Sequence, residues 1–223
     1  DALTRTRPTN LGILIAKTML ATLPETDPRP KVALLNSGSI RIDDNIAPGN
    51  PIRVYDVQRI LPFGGPVVHV QMSGALIRRL VTQSEATMKS KGGYLQYSGL
   101  RLDGSVWKVG EAELDDKANY LVALSDYLFK GSESGFEYLN ANGKLVDGMK
   151  LEAKQPPAED SDVQRLVLAA LRKLPPDDPE MTKAVISDSQ PKCDPTATIE
   201  FHLDPPSHAV EPKGTKETFS RLT

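Results

Sequence analysis

Two kinds of side chain in the polar segments of this sequence could hold a phosphorylated aromatic ligand. Arg5 and Arg41 carry guanidinium groups, whose planar forks match the oxygens of a phosphate. Phe63 and Phe136 each stand beside glycine, where a small neighbour leaves a ring face uncovered. A base that stacks on such a ring gains about 1–3 kcal/mol. The residue types therefore favour a ligand-binding domain, and the alternative is that each phenylalanine fills the core.

The sequence lacks the common motifs of catalytic, metal-binding and nucleotide-binding sites. The sequence has no HExxH or paired-cysteine metal motif, no GxSxG nucleophile turn, no P-loop and no GxGxxG loop. His69, His202 and His208 lie far apart, and we interpret His69 as a packed or surface residue on a strand. The single cysteine, Cys193, excludes an internal disulfide and a cysteine-cluster metal site. We therefore expect no catalytic residue, metal ligand or cofactor in this chain.

Alternating helical and extended patterns must position these side chains. Apolar spacing predicts helices over residues 11–23, 54–61, 74–84 and 163–174. Apolar, aromatic or β-branched runs predict strands at 32–35, 67–72, 94–102, 106–109 and 120–124. Thr9 or Asn10 can cap the first helix, Ser73 the third, and Ser161 or its acidic neighbours the last. The pattern predicts a mixed α/β domain over 1–174, with a mixed sheet flanked by helices.

The remaining residues, 175–223, form a proline-rich tail. Eight prolines leave no room there for a long helix. Residues 198–203 alternate like a strand and could join a sheet edge. We expect the rest of the tail to pack loosely.

Charge and hydropathy exclude two classes of protein. The 27 Lys and Arg residues are balanced by 29 Asp and Glu residues, and no segment carries the basic block that a nucleic-acid backbone requires. No run approaches the roughly 18 apolar residues of a membrane helix. Nucleic-acid binding and membrane insertion are therefore not expected.

Four stretches, in the same order along the chain, carry a family resemblance. They are Arg-Thr-Arg-Pro-Thr-Asn-Leu-Gly at 5–12, Asn-Ser-Gly-Ser-Ile-Arg at 36–41, Ile-Leu-Pro-Phe-Gly-Gly at 60–65, and Gly-Tyr-Leu-Gln-Tyr-Ser-Gly-Leu at 93–100. Together with Gly-Phe at 135–136, they resemble the C-terminal, substrate-binding domain of the 5'-nucleotidase and UDP-sugar hydrolase family of metallophosphatases. The resemblance runs from about residue 5 to 139.

The resemblance implies a nucleotide site. Phe63 and Phe136 would sandwich the base, while Arg5, Asn36 and Arg41 would hold the phosphate and ribose. The full set of implied substrate-binding residues is Arg5, Asn36, Gly38, Arg41, Phe63, Gly65, Phe136 and Asn142.

Two positions depart from the family pattern. The family's Gly-Gly-Asp-Gly turn reads Gly-Ser-Glu-Ser-Gly at 131–135, and its acidic ribose contact falls on the neutral Asn142. An amide bonds a hydroxyl more weakly than a carboxylate does. Glu133 or Glu137 could supply the missing charge.

The family's chemistry lies in an N-terminal domain that binds two divalent metal ions, and none of its Asp-x-His or Gly-Asn-His ligand motifs occurs here. Because the chain starts at Asp1, we expect an excised domain or a processed protein, inactive alone, whose parent is a phosphohydrolase acting on nucleotides. A stand-alone nucleotide-binding module, or a relative acting on UDP-sugars, cyclic nucleotides or NAD, remains the alternative. The expected partners are the nucleotide and the metal-binding domain of the same polypeptide, in the periplasm or outside the cell.

Overall fold

The computed structural model describes residues 3–29, 31–41, 52–139, 145–146, 149–154 and 161–173. A five-stranded sheet forms the centre, in the order β10-β2-β7-β1-β3. Strands β1 and β7 are parallel, and the other neighbours in this sheet are antiparallel. The sheet strands are β1 (Lys31–Asn36), β2 (Val67–Ser73), β3 (Leu95–Ser98), β7 (Asn119–Ser125) and β10 (Ala153–Lys154). The mixed sheet confirms the predicted fold class.

Both faces of the sheet are buried, because residues along its central strands alternate between two cores. In β1, Val32 and Leu34 pack on one side, while Ala33 and Leu35 pack on the other. The first core contains the apolar face of α3 (Gly74–Thr87). The second contains apolar residues of α1 (Asn10–Leu20), α2 (Val54–Ile60) and α5 (Val163–Lys173). The domain is therefore a sheet between two helical layers.

Side-chain oxygens fix where the helices begin. The Thr9 hydroxyl accepts a hydrogen bond from the Gly12 amide, so Thr9 caps α1. Ser73 accepts from the Leu76 amide at the start of α3. At α5, an Asp162 carboxylate oxygen accepts from the backbone of Gln164 and Arg165. Of the alternatives in the sequence, Thr9 and Asp162 are the caps.

Several boundaries differ from the prediction. Helix α1 ends at Leu20, and α3 continues to Thr87. The strand predicted at 94–102 is two strands, because Gly99 adopts a φ of +79° and turns the chain out of the central sheet. Beyond that turn β4 (Leu100–Asp103) pairs with β5 (Val106–Val109), which pairs with β6 (Ala112–Glu113). Gly99, inside an otherwise strand-like run, was the available signal for this break.

Smaller elements complete the domain. They are 3₁₀ turns at Leu3–Arg5, Ser37–Ser39 and Glu137–Leu139, the short helix α4 (Asp126–Phe129), and the hairpin of β8 (Leu145–Val146) and β9 (Met149–Lys150). Among the described residues, no helix is long and apolar enough to cross a bilayer. Residues 174–223, including the strand predicted at 198–203, lie outside the described part of the chain. The boundary at 174 stays a prediction.

Candidate ligand-binding site

Four loops meet at one edge of the central sheet. Strands β1 and β7 are parallel, so the loops that follow them leave from the same edge. Strands β2 and β3 run in the opposite direction, so the loops that precede them lie at that edge too. The four loops are 37–41, 61–66, 91–94 and 126–135. The topology thus gathers segments that are distant in sequence.

Asn36 ends β1 at this edge and links the 37–41 loop, the end of β7 and the 126–135 segment. Its side-chain oxygen accepts hydrogen bonds from the hydroxyls of Ser39, at 2.7 Å, and Ser125, at 3.5 Å. Its amide nitrogen donates to a carboxylate oxygen of Glu133 at 2.7 Å. Only 2% of Asn36 is exposed. The residue therefore links the loops, and its predicted contact with a ligand stays a prediction.

Arg41 and Phe63 form the exposed part of the site. The ring of Phe63 is 69% exposed, and the guanidinium carbon of Arg41 lies 5.4 Å from the ring centroid. The Arg41 amide donates to the carbonyl of Ile60 at 2.7 Å, which ties the two loops together. A cation over an aromatic face is a stabilising arrangement. The predicted arginine and aromatic side chains therefore lie together.

Arg5 completes a small charged cluster with Arg41 and Glu133. Partial burial is the main cause that lowers the pKa of Arg41, the positive charge of Arg5 lowers it further, and the Glu133 carboxylate opposes this shift. Burial is also the main cause that raises the pKa of Glu133, and its bond from Asn36 and the two arginines act against it. Two cations and one half-buried anion thus share this edge of the domain.

Gln96 holds the segment that carries Arg5. Its side chain is fully buried at the start of β3, and its nitrogen donates to the carbonyls of Thr4 and Arg7 at 2.6 and 2.9 Å. Its oxygen accepts from the Thr9 amide at 2.8 Å. The Arg5 carbonyl itself accepts from the Ser90 amide at 2.8 Å. Sequence reasoning missed this role, although a glutamine inside an apolar strand was the available signal.

The loop around Phe63 needs its glycines. Gly64 and Gly65 have φ values of +54° and +97°, in the region that other residues rarely adopt. The Gly65 amide donates to Asp162 at 2.9 Å, and the Gly65 carbonyl accepts from Val163 at 3.0 Å. The start of α5 therefore holds the loop that presents Phe63. Gly65 shapes this loop rather than offering a side chain to a ligand.

Gly38 is required for a close backbone approach. Its amide donates to the Gly92 carbonyl at 2.7 Å, and a Cβ at this position would lie 3.1 Å from the Gly92 Cα. The Ser37 hydroxyl also donates to that carbonyl, at 3.1 Å. These contacts pack the turn before Arg41 against the loop before β3.

Phe136 enters the core beside the 91–94 loop, and its predicted contact with a base stays a prediction. The ring is fully buried in the core beneath α3. It packs edge-on against Tyr138, with ring centroids 6.2 Å apart. A Cβ built on Gly93 would lie 3.4 Å from the Phe136 ring and 3.1 Å from the Met88 sulfur. The open two-ring sandwich is therefore absent from this arrangement. Asn142 lies outside the described residues.

Comparison with known proteins gives the family. The chain matches the 5'-nucleotidase C-terminal domain over residues 2–141. This chain belongs to the 5'-nucleotidase C-terminal domain family. No curated protein matches it.

Solved structures agree with this family assignment. The 5'-nucleotidase precursor of Thermus thermophilus is 26% identical, with a TM-score of 0.61 over 77% of this chain and 34% of that one. The NAD nucleotidase of Haemophilus influenzae is 19% identical, with a TM-score of 0.52 over 78% of this chain and 31% of that one, and shares the fold. The chain spans about a third of the length of these relatives.

The described part of this 5'-nucleotidase C-terminal domain holds no group of three potential metal ligands among His, Cys, Asp and Glu. His69 is half-buried, and its ring Nε2 lies 2.8 Å from the Thr22 hydroxyl. Burial lowers the pKa of His69. Its position fits the packed strand residue that the sequence indicated.

Proposed function

We propose that this domain recognises the nucleotide substrate of a 5'-nucleotidase-type phosphohydrolase. The observation that carries the proposal is the pairing of the exposed Phe63 ring with the Arg41 guanidinium, 5.4 Å away, at an edge built by four loops. A base needs a flat apolar surface, and a phosphate needs fixed donors. The two side chains provide one of each within the length of a nucleotide.

Phe63 is suited to stacking because its exposure is costly without a ligand. A ring that is 69% exposed leaves apolar surface in water, which a stacked base would cover. Its loop is held by Asp162 and by the start of α5, so little order would be lost on binding. We propose a single stacking ring here, with the Arg41 guanidinium beside it.

The charged groups favour an anionic end on the ligand. The chain as a whole has a formal charge of −2, yet Arg5 and Arg41 lie close enough for their charges to interact. Two guanidinium groups that repel each other gain when a phosphate binds between them. Gln96 fixes the backbone on both sides of Arg5, which keeps that cation near the pair.

Hydrolysis belongs to the rest of the parent protein in this proposal. Two divalent metal ions in an N-terminal domain would activate the attacking water, and this domain would deliver the nucleotide to them. By the same family likeness, the parent would act in the periplasm or at the cell exterior. The residues of this chain bind and orient the substrate.

A binding titration tests the proposal. The full chain is titrated with AMP, adenosine, UDP-glucose and inorganic phosphate, without added metal, and compared with Phe63→Ala. Tyr55→Ala is the matched control, because Tyr55 is another exposed ring, 64% exposed, with the Arg59 guanidinium 5.7 Å from its centroid. We expect saturable AMP binding that Phe63→Ala weakens about tenfold or more, in line with the loss of one stacked base.

Each result has a definite meaning. AMP binding that is kept in Tyr55→Ala and lost in Phe63→Ala supports the assignment of Phe63. Equal loss in both variants, or AMP binding that Phe63→Ala leaves unchanged, would refute the stacking role. Preference for UDP-glucose over AMP would keep the site and change its substrate.

A further inference from the structure

Glu133 introduces a negative charge into the cluster that is proposed to bind phosphate. Its carboxylate accepts a hydrogen bond from Asn36 at 2.7 Å and interacts electrostatically with both Arg5 and Arg41. A Cβ built on Gly92 would lie 3.6 Å from one of its oxygens, so the carboxylate lies close over the 91–94 loop. The group is half-buried.

We propose that Glu133 is an internal counter-anion that competes with the phosphate of a ligand for the Arg5 and Arg41 guanidinium groups. The inference rests on the proposed nucleotide site and adds the residue that sets how strongly that site favours charged ligands. With Glu133 ionised, part of the arginine charge is already neutralised inside the protein. An incoming anion must displace this carboxylate from the arginines or bind them more strongly than it does.

The surroundings of Glu133 favour this role over a contact with a sugar hydroxyl. A carboxylate that binds a hydroxyl needs an accepting oxygen turned toward the ligand. Here one oxygen is taken by Asn36, whose own side chain is 98% buried and held by Ser39 and Ser125. The positive charges of Arg5 and Arg41 also act on this carboxylate. The bond from Asn36 fixes the carboxylate at the edge of the sheet where those charges lie.

The proposal predicts a specific split between charged and uncharged ligands. Glu133→Gln keeps an oxygen that can accept from Asn36 but removes the charge. AMP and inorganic pyrophosphate should then bind about tenfold more tightly, the size of effect that one nearby opposite charge has on an ionised group. Adenosine, which carries no charge, should change less than about twofold by the same reasoning.

The experiment measures the dissociation constants of AMP, adenosine and pyrophosphate for the full chain, Glu133→Gln and Glu133→Asp. Glu111→Gln is the matched control, because it removes the same charge from a residue whose side chain is 91% exposed. Glu111 pairs with Arg101 of β4, which belongs to the three-stranded sheet and not to the central one. We expect Glu111→Gln and Glu133→Asp to keep the original ratio of AMP to adenosine affinity. Glu133→Gln alone should raise that ratio.

Several outcomes would overturn the proposal. If Glu133→Gln weakens AMP and adenosine together, the carboxylate contacts the ligand's sugar. If neither AMP nor pyrophosphate binds more tightly, Glu133 does not compete for the arginines.

The pyrophosphate arm separates this inference from the nucleotide proposal. If the chain binds no nucleotide but Glu133→Gln binds pyrophosphate more tightly, the proposed function fails and the counter-anion stands. If nucleotides bind in a Phe63-dependent way and the ratio does not move, only the counter-anion fails.

Discussion

The two phenylalanines beside glycine should respond in opposite ways to truncation. Phe136 is fully buried and Phe63 is 69% exposed. Removal of a fully buried phenylalanine ring costs about 3–5 kcal/mol of unfolding free energy, because the apolar contacts are lost and a cavity remains. Removal of a mostly exposed ring changes stability by about 0.5 kcal/mol or less. The expected difference between Phe136→Ala and Phe63→Ala is therefore about 2.5–5 kcal/mol.

Urea denaturation followed by circular dichroism measures this difference. With a slope of about 2 kcal/mol per molar urea, Phe136→Ala should move the midpoint down by about 2 M, and Phe63→Ala should leave it unchanged. In the binding assay we expect the larger effect from Phe63→Ala, since this variant loses affinity for AMP while it remains folded. Val167→Ala truncates a side chain in the second core, on the other face of the sheet. It gives a reference value for the unfolding free energy that a buried side chain contributes.

Equal, small losses for the two phenylalanine variants would refute the reasoning. They would mean that the Phe136 ring leaves the core at little cost. The sandwich implied by the family resemblance would then be available to the chain, and the position of Phe136 described above would be one of two.

Three further predictions concern the scaffold. Gln96→Leu should lose about 3 kcal/mol in the same urea assay, since its three shortest side-chain hydrogen bonds, to Thr4, Arg7 and Thr9, are worth about 1 kcal/mol each. A loss below about 1 kcal/mol would contradict its anchoring role. Gly74→Ala should cost about 1–3 kcal/mol, because its Cβ would collide with the backbone carbonyl oxygen of Asp115. Gly65 has open space around it and a φ of +97°, so Gly65→Ala should cost about 1–2 kcal/mol from backbone strain alone. The Arg29 side chain lowers the pKa of Asp27, so the stability from this pair is present above the unfolded pKa of about 3.9 and is lost as pH falls toward the lower folded value. Asp27→Asn should therefore flatten the dependence of unfolding free energy on pH below about 4. The same slope in Asp27→Asn and in the unaltered chain would contradict this prediction.

Local pattern was enough for most of the elements. The apolar run at 32–35 became the centre of β1, and the spacing at 163–174 became α5 apart from its last residue, which lies outside the described part. What failed was the single strand predicted at 94–102, because the positive φ at Gly99 redirects the chain within that segment. Such a turn depends on one backbone angle, which hydrophobic periodicity does not report.

The site was predictable by residue type and not by arrangement. Arg5, Arg41 and Phe63 were chosen from sequence, and the order of the strands brings their loops to one edge. Strand order is a long-range property, so no local spacing could place Glu133 against Asn36, 97 residues away along the chain. The same limit hid Gln96, whose partners lie 87 to 92 residues away.

The difference between the two phenylalanines shows why a glycine neighbour cannot identify a stacking ring. Both residues follow or precede glycine in a loop, and both glycines have positive φ values, +54° at Gly64 and +91° at Gly135. At Gly64 the backbone turns against Asp162 and leaves the ring outside. At Gly135 a Cβ would collide with Met88, so the loop lies directly on the core and the following ring enters it. The decisive factor is therefore the surface against which each loop is packed, and this surface is supplied by α5 in one case and by α3 and the chain that follows it in the other.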